Sequence, residues 1–279
     1  MTVRIVTDSC ADITQQEAKK LGITVVPAYV CFGDEVFRDG VDIDSDQFYK
    51  KLASSSVHPT TASPSPGDFA SAYDEIAQET NQIVSVHVTR RHSAIYESAM
   101  LAKRIAKDRG VDVEVVDSLG VTMWQGLVAV MAARAARAGL GIQQVVDKAH
   151  ETINRLRALA LLDTLKYVIK GGRISNTILA LESKLSIKPL ITLVNGEIRP
   201  AGVTRNRSGG IQRLLGLLSK SEAEEIAIVH SAAEDDAQNL AAQARKLFPG
   251  KTIRVDKLGP ALGAHAGPGA LVIVALVAK

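Results

Sequence analysis

The chain has 279 residues, of which 46% are hydrophobic, 23% charged and 4% aromatic, with a net charge of +3. That length holds one large α/β domain or two ordinary ones, and no Pro/Ser-rich or single-charge stretch is long enough to stay disordered. The densest basic stretch, 199–213, is interrupted by Gly and apolar residues, and aromatics are few; bulk phosphate-backbone binding and base stacking are therefore disfavoured.

From the start, strand-like runs alternate with helical patterns. Residues 3–7, 23–32, 83–88 and 113–116 are short β-rich runs bounded by turn residues. Helices are predicted over 12–20, 67–79, 93–108 and 125–138. In 142–156, the apolar residues Ile142, Val145, Val146, Ala149, Ile153 and Leu156 fall on one helical face. Such alternation predicts parallel βαβ units, with ligands binding beyond the carboxyl ends of the strands. Asp8 comes too early for a signal-peptide apolar segment, and the longest apolar run, 270–278, is about half a membrane span. Cys10 and Cys31 lack metal-ligand spacing and read as small apolar residues of a reducing compartment. A cytoplasmic protein is expected.

Near residue 160 the pattern changes, dividing the chain into an expected first domain at 1–160 and a second at 161–279. A helix from 175 is predicted, with Ile174, Ile178, Leu181 and Leu185 on one face. Asn195-Gly196 separates two strand-like runs, the strongest short hairpin signal. Antiparallel pairing is thus expected only in the second half. Helices at 209–219 and 233–247, and strands at 226–230, 252–256 and 270–277, complete it.

Four polar segments lie at predicted strand ends or helix starts. They are Thr7-Asp8-Ser9, the small-hydroxyl loop 59–65, the stretch from Thr89 through Arg90, Arg91, His92 and Ser93 to Tyr96, and the Gly-rich loop 263–269 around His265. Each has an ordinary reading as a cap, turn or backbone device. Together, hydroxyls beside helix N-termini make a pocket suited to a small anion. Catalytic patterns fit poorly. A hydrolase could use Ser93, His265 and Asp8, but no Gly-x-Ser-x-Gly elbow surrounds Ser93. Lys170-Gly171-Gly172-Arg173 lacks phosphate-loop spacing, the glycines from 259 to 269 precede a strand, and no metal-ligand cluster accompanies His87 and His92.

In this order, the segments resemble the DegV family, whose characterised members are bacterial fatty-acid-binding subunits of fatty-acid kinase. The resemblance runs from Val3 to about Val274. It is carried by Thr7-Asp8-Ser9, the loop around Thr61 and Ser63, Ser93 through Ala99, Asp117-Ser118, the stretch from Leu165 to Ser175, Ile187-Lys188-Pro189, and Gly259 through Gly269. The resemblance implies a three-layer α/β/α domain with a parallel sheet and a smaller two-layer α/β domain with a mixed sheet. It implies a long-chain fatty acid held between the domains, its carboxylate bound by Thr61 and Ser93 with His265 near the mouth. Arg173, Arg205 and Arg207 would surround the entrance, where an ATP-dependent kinase partner docks to form an acyl-phosphate for phospholipid synthesis. No cofactor, metal, nucleic acid or membrane span is implied, beyond transient membrane contact. The carrier itself would be no enzyme, with a Ser93–His265 acyl-ester hydrolase as the alternative. The chain departs from the family pattern at Ala94-Ile95, at Ala62, at 122–126 and in the basic Arg90-Arg91-His92.

Overall fold

The computed structural model describes residues 3–173, 187–218 and 222–278. The helix expected from 175 lies outside the described residues.

Four strands, β1 (Arg4–Asp8), β2 (Ile23–Val26), β6 (Gln82–His87) and β7 (Asp112–Asp117), form a parallel sheet in the order β2-β1-β6-β7. Its central strands, β1 and β6, are buried along nearly their whole length, as strands covered on both faces must be. On one face, α3 (Pro66–Ala77) and α4 (Ile95–Asp108) pack Phe69, Tyr73, Ala99 and Ala102 against Ile83 and Val113. On the other, α5 (Met123–Arg137) and α6 (Ile142–Arg155) cover Ile5, Val84 and Val86. The short α1 (Gln15–Leu21), capped by Thr14, leads into β2.

The second sheet has six strands in the order β10-β9-β8-β13-β11-β12. They are β8 (Leu156–Leu161), β9 (Lys188–Val194), β10 (Glu197–Thr204), β11 (Ala223–His230), β12 (Thr252–Lys257) and β13 (Leu271–Val277). Only β11 and β12 pair in parallel. The predicted hairpin joins β9 to β10, with Asn195 at φ 50° and Gly196 at φ 80°, the left-handed pair such a turn requires. Helices α8 (Arg207–Leu218) and α9 (Glu234–Leu247) cover one face through Leu214, Leu218, Leu240 and Ala241. The two-part α/β architecture, three layers and then two, is as expected. Strand β8 already belongs to the second sheet, so the pattern change near 160 falls within a strand.

Helix α5 joins the parts. Twelve of its fifteen residues are buried, and only Arg134 and Arg137 near its C-terminal end are exposed, the mark of a helix enclosed along most of its length. Leu127, Val128 and their neighbours share one core with Val84 and Val86 of the first sheet and Ala227, Val229, Val274 and Leu276 of the second. The helix is sandwiched between the two sheets.

Antiparallel pairing is not confined to the second half, contrary to expectation. The run 23–32 breaks at Pro27, which lacks the N–H donor a continuing ladder needs. Beyond it, β3 (Tyr29–Phe32) pairs antiparallel with β4 (Glu35–Arg38) and β5 (Thr60–Ala62) in a separate three-stranded sheet. The β3–β4 turn uses Gly33 at φ 63°. Helix α2 (Ser45–Ser54) was also not anticipated, although Asp44 and Gln47 form a reciprocal capping box. Residues expected as loop before the last strand form α10 (Pro260–Ala266), with Pro in its first turn. A single turn of helix, α7 (Lys166–Lys170), follows β8.

Gly126 sits where α5 passes closest to the loop after β1. A Cβ there would lie 2.5 Å from the Ala11 carbonyl oxygen and 2.8 Å from Met123 Sδ. Gly126→Ala is therefore expected to destabilise the fold by about 1–3 kcal/mol through overpacking, despite a helix-propensity gain of ~1 kcal/mol. Urea unfolding midpoints measure this; a more stable variant would contradict the close packing.

Candidate functional site

Along β8, side chains alternate between the two faces of the sheet. Leu159 and Leu161 point into the core under α8 and α9, whereas Ala158 and Ala160 face the first half of the chain. Small side chains on this inner face leave space. A cavity results, with about 1240 Å³ of empty volume, part of it open to solvent. Val272 and Val274 of β13 and Ile191 and Leu193 of β9 continue the apolar wall, and Val88, Ile95 and Val121 face them from the first part. Val121 and Thr122 immediately precede α5, so the cavity lies beyond that helix's first turn.

The polar groups that line this space come from distant segments. Thr61 is on β5 and His265 on α10; Thr61 Oγ1 and His265 Nε2 share a hydrogen bond of 2.9 Å. Ser93 lies just ahead of α4, and its Oγ accepts from the Ile95 N–H at 3.2 Å. Arg173 donates through Nη1 to the Gly171 carbonyl at 2.7 Å and through Nε to the His92 carbonyl at 3.5 Å. All four side chains line the cavity, and no Asp or Glu does so among the described residues. Arg173 has no carboxylate partner among the described residues.

Burial pushes the His265 pKa down to about 4, and the nearby Arg173 and His58 push the same way. At neutral pH the ring is uncharged, with one donor and one acceptor nitrogen. Its Nδ1 is buried without a hydrogen-bond partner among the described residues. Gly171 packs against that nitrogen so closely that any Cβ would overlap it. Helix α10, which carries His265, is held from behind by two acids of the first part. Asp12 accepts from the Gly259 N–H at 2.9 Å and Asp39 from the Ala261 N–H at 3.3 Å. Burial raises both pKa values, that of Asp39 to about 7.

The remaining sequence candidates lie elsewhere. Arg207 pairs with Asp236, donates to the Gly269 carbonyl at 2.6 Å and lines a separate hollow beside α9. Arg205 is exposed and does not line the cavity. Asp8 is fully buried; it accepts from the N–H groups of Cys10 and Val88 and from Gln125 Nε2, and it holds His87 Nδ1 at 2.9 Å. His87 in turn meets Ser85 at 2.7 Å, and Ser85 meets the Tyr73 hydroxyl. That buried chain ties β1, β6, α3 and α5 together, and none of the side chains of Asp8, His87, Ser85, Tyr73 and Gln125 lines the cavity. Ser93, His265 and Asp8 are therefore not linked as a hydrolase relay would require. Sequence reasoning missed His92 and Thr122 as lining residues. Both had a signal: His92 belongs to the unusual basic loop, and Thr122, at φ 52°, opens the stretch 122–126 that departs from the family pattern. No group of three metal-ligating side chains is found among the described residues, and no described helix is long and apolar enough to cross a membrane.

Fold and cavity together define a two-part α/β protein with an apolar pocket between its parts, lined by no acid among the described residues. The chain belongs to the DegV family: the family model, described as an uncharacterised protein of the DegV family, matches residues 2–278. It is 34% identical over 277 residues to a DegV domain-containing protein of Streptomyces coelicolor, covering 98% of this chain and 97% of that one. It is 27% identical over 276 residues to Protein DegV of Bacillus subtilis. Among solved structures it is similar to DegV from Bacillus subtilis, described as a fatty acid binding protein, with TM-score 0.91, 27% identity and full coverage of both chains. A Thermus thermophilus DegV family protein, described by its fatty acid binding, gives TM-score 0.90 and 27% identity, again over both chains in full.

The charge state of His265 is open to direct measurement. Its ring signals in an NMR pH titration are expected to move with a midpoint near 4. Arg173→Gln removes a nearby positive charge and should shift that midpoint upward. A wild-type midpoint at the ordinary ~6.5 would mean that the ring is solvated instead of buried.

Proposed function

We propose that this chain is a fatty-acid-binding carrier. The observation that carries the proposal is the pairing of an apolar-walled cavity with Thr61, Ser93, neutral His265 and Arg173 on its lining, and no acid beside them among the described residues. An alkyl chain of ~14 methylenes gains roughly 11 kcal/mol on burial at ~0.8 kcal/mol each. Rigid-body and ordering costs offset a large part of that, leaving sub-micromolar binding within reach. The carboxylate must be satisfied wherever it rests, because an unpaired buried charge is costly. Hydroxyl donors at Thr61 and Ser93, the ring of His265 and the cation of Arg173 meet that need. The fatty acid binding described for the Bacillus subtilis and Thermus thermophilus relatives supports the same reading.

In this reading the chain does no chemistry of its own. It works in the cytoplasm, takes up its ligand through brief membrane contact and presents the carboxylate to an ATP-dependent kinase that forms the acyl-phosphate. The exposed Arg205 is open to that partner and Arg173 stays on the cavity lining, whereas Arg207 is committed to Asp236 and Gly269 and steadies the segment behind His265. The first part, up to α6, and the second, whose sheet begins with β8, supply opposite walls, so the boundary lies a few residues before the 160 expected from the sequence.

Solvent extraction of purified protein followed by mass spectrometry is expected to release long-chain fatty acid. Thr61→Val combined with Ser93→Ala should weaken palmitate or oleate binding by at least about tenfold, since each lost bond to a carboxylate is worth ~1.5–3 kcal/mol, with a stability loss of about 1–3 kcal/mol from the broken Thr61–His265 bond, which the unfolding midpoint measures. Lipid-free protein that also ignores added palmitate and oleate would defeat the proposal.

A further inference from the structure

The β9–β10 hairpin forms one wall of the cavity through Ile191, Leu193 and Ile198. β10 is an edge strand, so its outward N–H groups face no neighbouring strand. The segment between β6 and α4 supplies partners instead. Thr89 Oγ1 donates to the Gly196 carbonyl at 3.2 Å, and a Cβ at Gly196 would lie 2.5 Å from that hydroxyl. Two residues along, the Ile198 N–H donates to His92 Nε2 at 3.1 Å. His92 itself lines the cavity and directly precedes Ser93. A ring nitrogen that accepts a hydrogen bond carries no proton, so this contact exists only for the neutral ring with its proton on Nδ1.

We propose that His92 is a positioning residue that latches the β9–β10 hairpin over the cavity, and that protonating its ring frees the hairpin and speeds ligand release. The release step rests on the fatty-acid reading above; the latch itself does not. The charged groups facing the ring are Glu197 of β10, Arg91 on the same segment and Arg173 after α7. Glu197 favours the proton; burial, the strongest influence, and the two arginines disfavour it, so the closed form holds the His92 pKa below its ordinary value. The open form, with a solvated ring, takes up the proton more readily. Acidification below the ordinary ~6.5 therefore shifts the balance from closed to open, and the latch is intact above that range. His92 also links the hairpin to Arg173, whose Nε donates to the His92 carbonyl.

Hydrogen–deuterium exchange on lipid-stripped full-length protein tests the latch without any ligand. Peptides spanning 188–204, corrected for intrinsic exchange rates, are expected to lose protection several-fold between pH 7.5 and 5.5. His92→Gln keeps an acceptor for the Ile198 N–H but cannot take a proton, so its protection should be the same at both pH values. His92→Leu removes the acceptor and should show, at pH 7.5, the loosened hairpin of the parent at pH 5.5. Unchanged protection in the parent, or equal loss in the Gln variant, overturns the latch. Stopped-flow release of cis-parinaric acid then tests the gate: the parent's dissociation rate should rise several-fold on acidification, and that of the Gln variant should rise less. A hairpin that loosens with no change in release rate overturns the gate. Failure to take up cis-parinaric acid at either pH defeats the carrier reading, and the exchange result still decides the latch.

Discussion

Along most of its length helix α5 carries apolar side chains in all directions, and only burial between two sheets removes them all from water. Placing it there holds the parallel sheet and the mixed sheet further apart than the ~10 Å of two sheets in direct contact. Ahead of the first turn of α5, at Thr122, the two sheets are still held apart, but no helix among the described residues fills the gap. Val121 and Thr122 on one side and Ala158, Ala160 and Val272 on the other line what is left. The cavity is thus the continuation of the layer that α5 occupies. Its walls are apolar because they are the same sheet faces that, a few residues further along, pack against the helix. On β13, Val274 takes part in both: it lines the cavity and belongs to the core shared with Leu127 and Val128.

The distribution of charge around this space follows from the need to satisfy buried groups. Acids near it are turned outward or locked away. Asp12 and Asp39 accept N–H groups at the start of α10, where the helix dipole favours negative charge. Asp8 is saturated by two backbone N–H groups, Gln125 and His87. Among the described residues, the polar groups left on the lining are neutral side chains and the Arg173 guanidinium, so none of them repels an anion. His265 is kept uncharged by the same burial that keeps the pocket apolar.

Much of the architecture was readable from residue patterns because it rests on local rules. The spacing of Val145, Val146, Ala149 and Ile153 specifies the α6 face, and Asn195-Gly196 specifies the hairpin, since each depends only on neighbours in the chain. The β-rich run 23–32 was misread as one strand because its composition hides a change of sheet at Pro27; which sheet β3 joins depends on β4 and β5, the latter some 30 residues on. α2 was missed although its capping pair, Asp44 and Gln47, was in plain sight. The Gly-rich appearance of 259–269 concealed α10, whose first turn is stabilised by Asp12 and Asp39 from the other part of the molecule.

The polar segments holding Thr61, Ser93 and His265 stood out by residue type alone, as hydroxyl and ring donors suited to a small anion. Tertiary structure decided which of those groups meet. Thr61 and His265 are 204 positions apart and touch only because β5 and α10 converge at the cavity. Arg207, a candidate by sequence, is drawn off to Asp236, while His92 gains a role from one backbone N–H 106 residues away. Side-chain chemistry is local to the chain, so it is written in the sequence; the partner that completes a hydrogen bond or relieves a buried charge is set by long-range packing, and only the folded molecule contains it.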